Sequence, residues 1–143
     1  MTDPAAAVAF MLGGKATVTL RSLESGARYT YRIRLAGGRG PDRVWTVALL
    51  NGPDNESRYV YIGRIRGSGY AWGRPKDGTK PFAGADAGSV KAFKWAFARL
   101  AAGAIPGKLE VWHEGRCGRC GRKLTVPESV ASGFGPECRA RDL

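Results

Sequence analysis

The three cysteines and the one histidine of this chain fall within its last thirty-one residues, as His113, Cys117, Cys120 and Cys138. Zinc binds thiolate and imidazole, and two cysteines at i and i+3 grip one ion from a single turn of chain. A glycine follows each of the first two, Gly118 and Gly121, which lets the backbone curl and aim its N–H groups at the sulfurs. Seventeen residues separate Cys120 from Cys138, enough for a hairpin and a turn that bring a third thiolate back to the same point. His113 stands four residues before Cys117, within reach of the fourth position. Three thiolates and a neutral imidazole around Zn²⁺ close a tetrahedron of about −1 charge with no place left for a substrate. The expected role of the ion is structural. A second reading stays open for His113: a surface histidine at a strand end, with water or another group as the fourth ligand.

Catalytic alternatives fit these residues poorly. A zinc deaminase needs His-x-Glu and then Pro-Cys-x-x-Cys, whereas here Glu114 adjoins the histidine and no proline precedes Cys117. The His-Glu-x-x-His pattern of zinc proteases fails with a single histidine. A Cys–His nucleophilic pair would use atoms that serve better as ligands. The glycine-rich stretch 37–40 lacks the Lys-Ser/Thr of a phosphate-binding loop and reads as a hairpin connection. The chain is expected not to be an enzyme.

The run Cys117-Gly-Arg-Cys120-Gly-Arg-Lys-Leu-Thr-Val-Pro-Glu-Ser129, closed by Gly133-Phe-Gly135-Pro-Glu-Cys138, resembles a zinc-binding tail found in many small proteins of bacteriophages and prophages. The pieces Gly26-Ala-Arg-Tyr-Thr-Tyr31, Asn51-Gly-Pro-Asp-Asn55 with Tyr61-Ile-Gly63, and Ala92-Phe-Lys-Trp95 are similar to the front part of such proteins. The resemblance thus spans most of the chain. It implies a phage-encoded protein working in the cytoplasm of a bacterial host, and it implies no particular activity. Family members often have Ile where this chain has Phe134, an exchange of one apolar side chain for another.

Charge is the second constraint. The formal net charge is +11, and residues 1–112 hold 17 Lys and Arg against 8 acids while 113–143 hold 6 against 4. The basic surface therefore belongs to the front of the chain, not to the cysteine segment. Such a field attracts polyanions, nucleic acid first, then acidic protein surfaces or anionic membranes. The plain alternative is a charge that serves solubility alone. Nothing is long enough to span a bilayer, and segment 5–12 is apolar but short, follows Asp3 and has no basic run before it, which argues against a secretory signal. An odd number of cysteines at metal spacing points to a reducing compartment, here the host cytoplasm.

The elements that position these residues follow from periodicity. Ala16, Val18 and Leu20 alternate with Lys15, Thr17, Thr19 and Arg21, a half-buried strand. Tyr29, Tyr31, Ile33 and Leu35 alternate with Arg28, Thr30, Arg32 and Arg34, a second strand. Residues 44–50 are nearly continuously apolar, as in a strand covered on both faces. Further strands are expected over 58–65, at the edge over 70–72, and over 108–112. Ser89 is a plausible N-cap for a helix whose Val90, Phe93, Phe97 and Leu100 form one apolar stripe, ended by Gly103. A helical turn is expected over 127–132, and a short helix around Cys138.

These elements define an α+β protein with an antiparallel β-sheet of four or five strands, one packed amphipathic helix, and a C-terminal treble-clef-like zinc knuckle. The division falls into a basic sheet-plus-helix domain, 1–107, and a Cys₃His module, 108–143. Two basic, aromatic surfaces are candidates for binding. One combines Arg28, Arg32, Arg34, Arg58, Arg64 and Arg66 with Tyr59, Tyr61, Tyr70 and Trp72, cations for phosphates and rings for bases. The simpler account places the aromatics in the core, and alternation supports that for Tyr29 and Tyr31. The other is Lys91, Trp95 and Arg99 on the polar face of the helix, a docking patch or a ring packed under aliphatic stems. The expected function is a non-enzymatic protein binding nucleic acid, single-stranded or structured, through the basic sheet face. The alternative is an inhibitor or adaptor that binds a host polymerase, nuclease or defence complex.

Overall fold

A computed structural model describes residues 3–51, 58–67, 69–75, 78, 83–123 and 133. Six strands form one antiparallel sheet: β1 Lys15–Ser22, β2 Arg28–Gly37, β3 Val44–Leu50, β4 Tyr59–Arg66, β5 Gly69–Trp72 and β6 Leu109–His113. Their spatial order is β5-β4-β3-β2-β1-β6, and the sheet is curled. Two helices, α1 Pro4–Met11 and α2 Gly88–Ala101, pack on each other and on one sheet face. The protein is α+β, as the alternation and the single long apolar stripe require.

The registers place Ala16, Val18, Leu20, Tyr31, Ile33, Trp45, Val47, Leu49, Ile65 and Val111 on the helix-covered face, all buried. Phe93 of α2 is the centre of this core. Its ring meets Tyr31 edge-on at 4.8 Å and Tyr70 at 5.0 Å, and lies parallel to Phe97 at 5.8 Å. Both phenols are satisfied: Tyr31 donates to the Ser89 carbonyl at 2.6 Å and Tyr70 to the Ile62 carbonyl at 2.5 Å. Burying each such ring stabilises the fold by about 1.5–3 kcal/mol.

Strand β4 carries a bulge. Ala48 pairs with Tyr61 and Val47 with Gly63, so Ile62 is the extra residue. Gly63 has φ +143°, and a Cβ there would collide with the Ala71 carbonyl oxygen. The bulge changes the phase of the strand. Tyr61 and Arg64, three residues apart, therefore share a face that strict alternation would deny them.

Several expectations need correction. The sheet has six strands and not four or five, because β6 pairs with β1. A second helix, α1, escapes the periodicity test because its residues, PAAAVAFM, include no polar side chain. Its start is nevertheless coded: Pro4 opens it, and the Asp3 carboxylate accepts the Ala6 N–H at 3.0 Å. Ser89 is not the N-cap of α2. That position is Ala87, without a side-chain cap, and Ser89 is buried in the first turn, where its carbonyl meets Tyr31. Strand β1 is buried on both faces rather than one, since Thr17 and Thr19 are covered as well. Strand β3 alternates buried with half-buried residues, because its second face meets the polar side chains of its neighbours. The turn expected over 127–132 and the helix around Cys138 lie outside the described residues.

Burial, and then the neighbouring Tyr29 and Tyr70, push the Tyr31 phenol well above its ordinary value of 10.0. Burial, and then Tyr61, push Tyr70 in the same direction. The folded state thus holds protons that the unfolded chain releases near pH 10. Stability from these groups is intact below that pH and is lost as the pH rises above it. Melting curves between pH 8 and 11 should show Tm falling from about pH 10 upward. Tyr31→Phe should lose about 1 kcal/mol at pH 8 with its hydrogen bond, and should then decline less steeply in alkali.

Candidate functional site

The Cys-x-x-Cys segment forms a tight hairpin directly after β6. Cys117 N–H donates to the Arg122 carbonyl at 2.8 Å, Gly121 N–H donates to the Cys117 carbonyl at 3.0 Å, and Arg116 bridges Lys123. The Arg119 N–H points at Cys117 Sγ, 3.4 Å away, so the curled backbone does aim a donor at a sulfur. Cys117 is buried and Cys120 exposed. Cys138 lies outside the described residues. Among the described residues no three His, Cys, Asp or Glu side chains form a group that could hold a metal ion.

Two observations bear on whether these residues fit zinc. The N–H to sulfur bond and the turn suit a thiolate pair, since each such bond favours the charged sulfur. Arg119 adds a second: its Nη1 is buried with no hydrogen-bond partner among the described residues. A buried guanidinium nitrogen is costly without an anion, whatever group provides it. His113 fits less well as it stands. Its Nδ1 accepts the Gly115 N–H at 2.9 Å, and its ring lies 5.5 Å from Phe10. A neutral imidazole that accepts at Nδ1 carries its proton on Nε2. Ligation by His113 therefore requires that this hydrogen bond be exchanged.

The hairpin is docked on the body of the protein. Phe10 of α1 fills the gap between Gly118 and Gly133, which are joined by an N–H···O bond of 2.7 Å. A Cβ at Gly118 would lie 2.6 Å from the Phe10 ring, and one at Gly133 2.5 Å. The Gly118 carbonyl accepts the Lys15 N–H at 2.7 Å, tying the hairpin to the start of β1.

The sheet face away from the helices carries the arginines. Arg28, Arg32 and Arg34 of β2 share it with Lys15 and Arg21 of β1 and, across β3, with Arg64 and Arg66 of β4. Glu110 is the one acid among the strand residues of that face, and it is paired with Arg21 at 3.4 Å. The rings are interleaved with the cations: the Arg32 guanidinium lies 3.9 Å over Tyr59, and Arg64 Nε donates to the Tyr61 hydroxyl at 3.1 Å. The floor between them is a buried threonine set, Thr17, Thr19 and Thr30, with the last two hydroxyls 2.7 Å apart. Burial, and then the adjacent Arg32, lower the Arg34 pKa from its ordinary value, opposed by Glu114 and Tyr59.

Some expected members fall elsewhere. Tyr70 and Trp72 belong to the helix-covered face, where Trp72 Nε1 donates to the Ala83 carbonyl at 2.9 Å. Arg58 is exposed but sits one residue out of phase with Tyr59, at the strand end. Three residues of the arginine face were not singled out: Lys15 and Arg21, which the alternation of β1 already placed opposite its apolar residues, and Trp112. Trp112 lies opposite Thr19 and is 54% exposed, on a strand too short for periodicity to assign its face. Lys91, Trp95 and Arg99 do share the outer face of α2, with the Arg99 guanidinium 5.7 Å from the Trp95 ring centre.

Residues 109–141 match DUF6011, a family of unknown function. The match begins at β6 and runs through the cysteine hairpin. No curated protein and no solved structure matches the chain. No helix among the described residues is long and apolar enough to cross a membrane.

The contact at Phe10 yields a direct test. Gly118→Ala should cost about 1–3 kcal/mol, because the added methyl overpacks a ring and a backbone carbonyl that have no free space. Phe10→Ala should cost about 3–5 kcal/mol. In the double variant the smaller side chain makes room for the methyl, so urea denaturation should show less than the sum of the two losses.

Proposed function

We propose that this is a phage-derived, non-enzymatic protein of the bacterial cytoplasm that binds nucleic acid through the arginine face of its sheet. The observation that carries the reading is the composition of that face. Among the described strand residues, seven cations are set among three aromatic rings, Tyr59, Tyr61 and Trp112, with Glu110 already paired and Glu114 just past the end of β6 near Arg34. Guanidinium groups meet phosphates and rings accept unpaired bases, so a single or irregular strand suits this surface better than a regular duplex. The stacked Arg32–Tyr59 pair and the Arg64–Tyr61 bond hold both kinds of group in place before a ligand arrives, which reduces the entropy lost on binding.

In the same proposal His113, Cys117, Cys120 and Cys138 hold a structural Zn²⁺ in a treble-clef-like knuckle. Zinc there would fix the C-terminal segment against α1 and leave recognition to the sheet. The support is the i, i+3 spacing of Cys117 and Cys120 and the N–H to sulfur bond at Cys117. Cys117→Ala protein should lose its zinc and melt at a lower temperature. Full zinc content with unchanged melting would sink this part.

Binding is tested by fluorescence anisotropy with labelled oligothymidylate, duplex DNA and RNA at several salt concentrations. Affinity should fall steeply with salt and be highest for unpaired strands. Replacing the exposed Arg28 and Arg66 together by Ala should reduce the slope of log affinity against log salt by about 1 to 2. An unchanged slope, or no binding at low salt, removes the proposal.

A further inference from the structure

Helix α2 presents a second cationic surface on the side of the molecule opposite the arginine face. Its outer residues are Lys91, Lys94, Trp95, Ala98, Arg99 and Ala102, which line a shallow groove of about 560 Å³. The segment 88–107 contains no Asp or Glu. None of the three cations is in an ion pair among the described residues. Trp95 is 45% exposed, although the rest of its helix supplies six buried residues to the core. The Arg99 guanidinium sits 5.7 Å from the centre of the ring.

On its other side Trp95 borders a pocket of about 380 Å³ between α2 and the β1–β2 end of the sheet. The walls of this pocket are mainly apolar, from Leu20, Ala27, Tyr29, Ala92 and Leu109, and Lys91 stands at its mouth. Its size suits one large aliphatic or aromatic side chain. Ser22 and Ser25 add the hydroxyls of the β1–β2 turn to this lining, which stays apolar over most of its area. The row of cations complements any acidic ligand; the mainly apolar socket beside the exposed indole is what favours a peptide with an apolar anchor over a polyphosphate track.

We infer that the outer face of α2 docks an acidic protein segment bearing one large apolar anchor. The anchor enters the pocket beside Trp95, and the flanking carboxylates meet Lys91, Lys94 and Arg99. This site is separate from the arginine face and stands whether or not that face binds nucleic acid. It would let the protein hold a protein partner and a polyanion at once.

The probe is a set of fluorescein-labelled short acidic peptides with a central Leu, Phe or Trp, matched by versions with a central Gly. Full-length protein should bind at least one anchored peptide with a dissociation constant of about tens of micromolar, and the Gly versions about tenfold more weakly. Trp95→Ala keeps every charge and should weaken the anchored peptide about tenfold, measured at a temperature where melting curves show both proteins folded. Arg28→Ala with Arg66→Ala should leave peptide affinity as it was. Absence of binding by every anchored peptide at about millimolar protein overturns the inference, as do equal affinities for the Gly versions or an unaltered Trp95→Ala protein. If Trp95→Ala instead weakens oligothymidylate and not peptide, the helix face belongs to nucleic acid and the inference is wrong.

Discussion

Phe10 cannot move without displacing three parts of the molecule. Its ring fills the space left by two missing side chains, at Gly118 and Gly133, and lies against His113 at the end of β6. The helix that carries it is closed by the Trp45 indole, which donates to the Leu12 carbonyl at 3.1 Å, and the strand after it is tied to Gly118. The N-terminal helix, the sheet and the described residues of the segment matching DUF6011 therefore share one wall. Interiors are close-packed and respond to a single methyl, so a change at Phe10 is felt by all of these described parts. On the zinc reading proposed above, metal binding would stabilise α1 as well as its own hairpin.

The sheet separates two kinds of chemistry. One face is sealed by α1 and α2 around Phe93, and its polar atoms are the phenols and indoles whose hydrogen bonds end on backbone carbonyls. The other face collects like charges at close quarters, and the lowered pKa of Arg34 records first its partial burial and then the repulsion of Arg32. Crowding of this sort costs stability in the free protein. Stacking on Tyr59 and the bond to Tyr61 offset part of it, at about 0.5–1 kcal/mol for a cation over an exposed ring. On the binding proposal above, a polyanion would relieve the remainder.

Most of the secondary structure was legible because it has a period. Strands β1 and β2 declare themselves by alternation over seven paired positions, and α2 by its stripe from Val90 to Leu100. Helix α1 was illegible for the opposite reason, since an all-apolar run has no phase. The bulge at Ile62 was equally invisible. One inserted residue changes no composition, yet it decides which face Tyr61 and Arg64 occupy. Tyr70 and Trp72 were misgrouped with the arginines because a four-residue strand is too short to show which side is inward.

The amino-acid sequence by itself determined the cationic excess, the metal-suited spacing of Cys117 and Cys120, and the alternation that sends β2's arginines one way and its tyrosines the other. Those are local properties, set by residue type and by backbone period. Tertiary structure alone decided that β6 joins the same sheet, that Trp112 faces the arginines, and that two glycines after the first cysteine exist to admit a ring from residue 10. Contacts of that kind link positions a hundred residues apart, and no local pattern encodes which distant side chain will arrive to fill a gap.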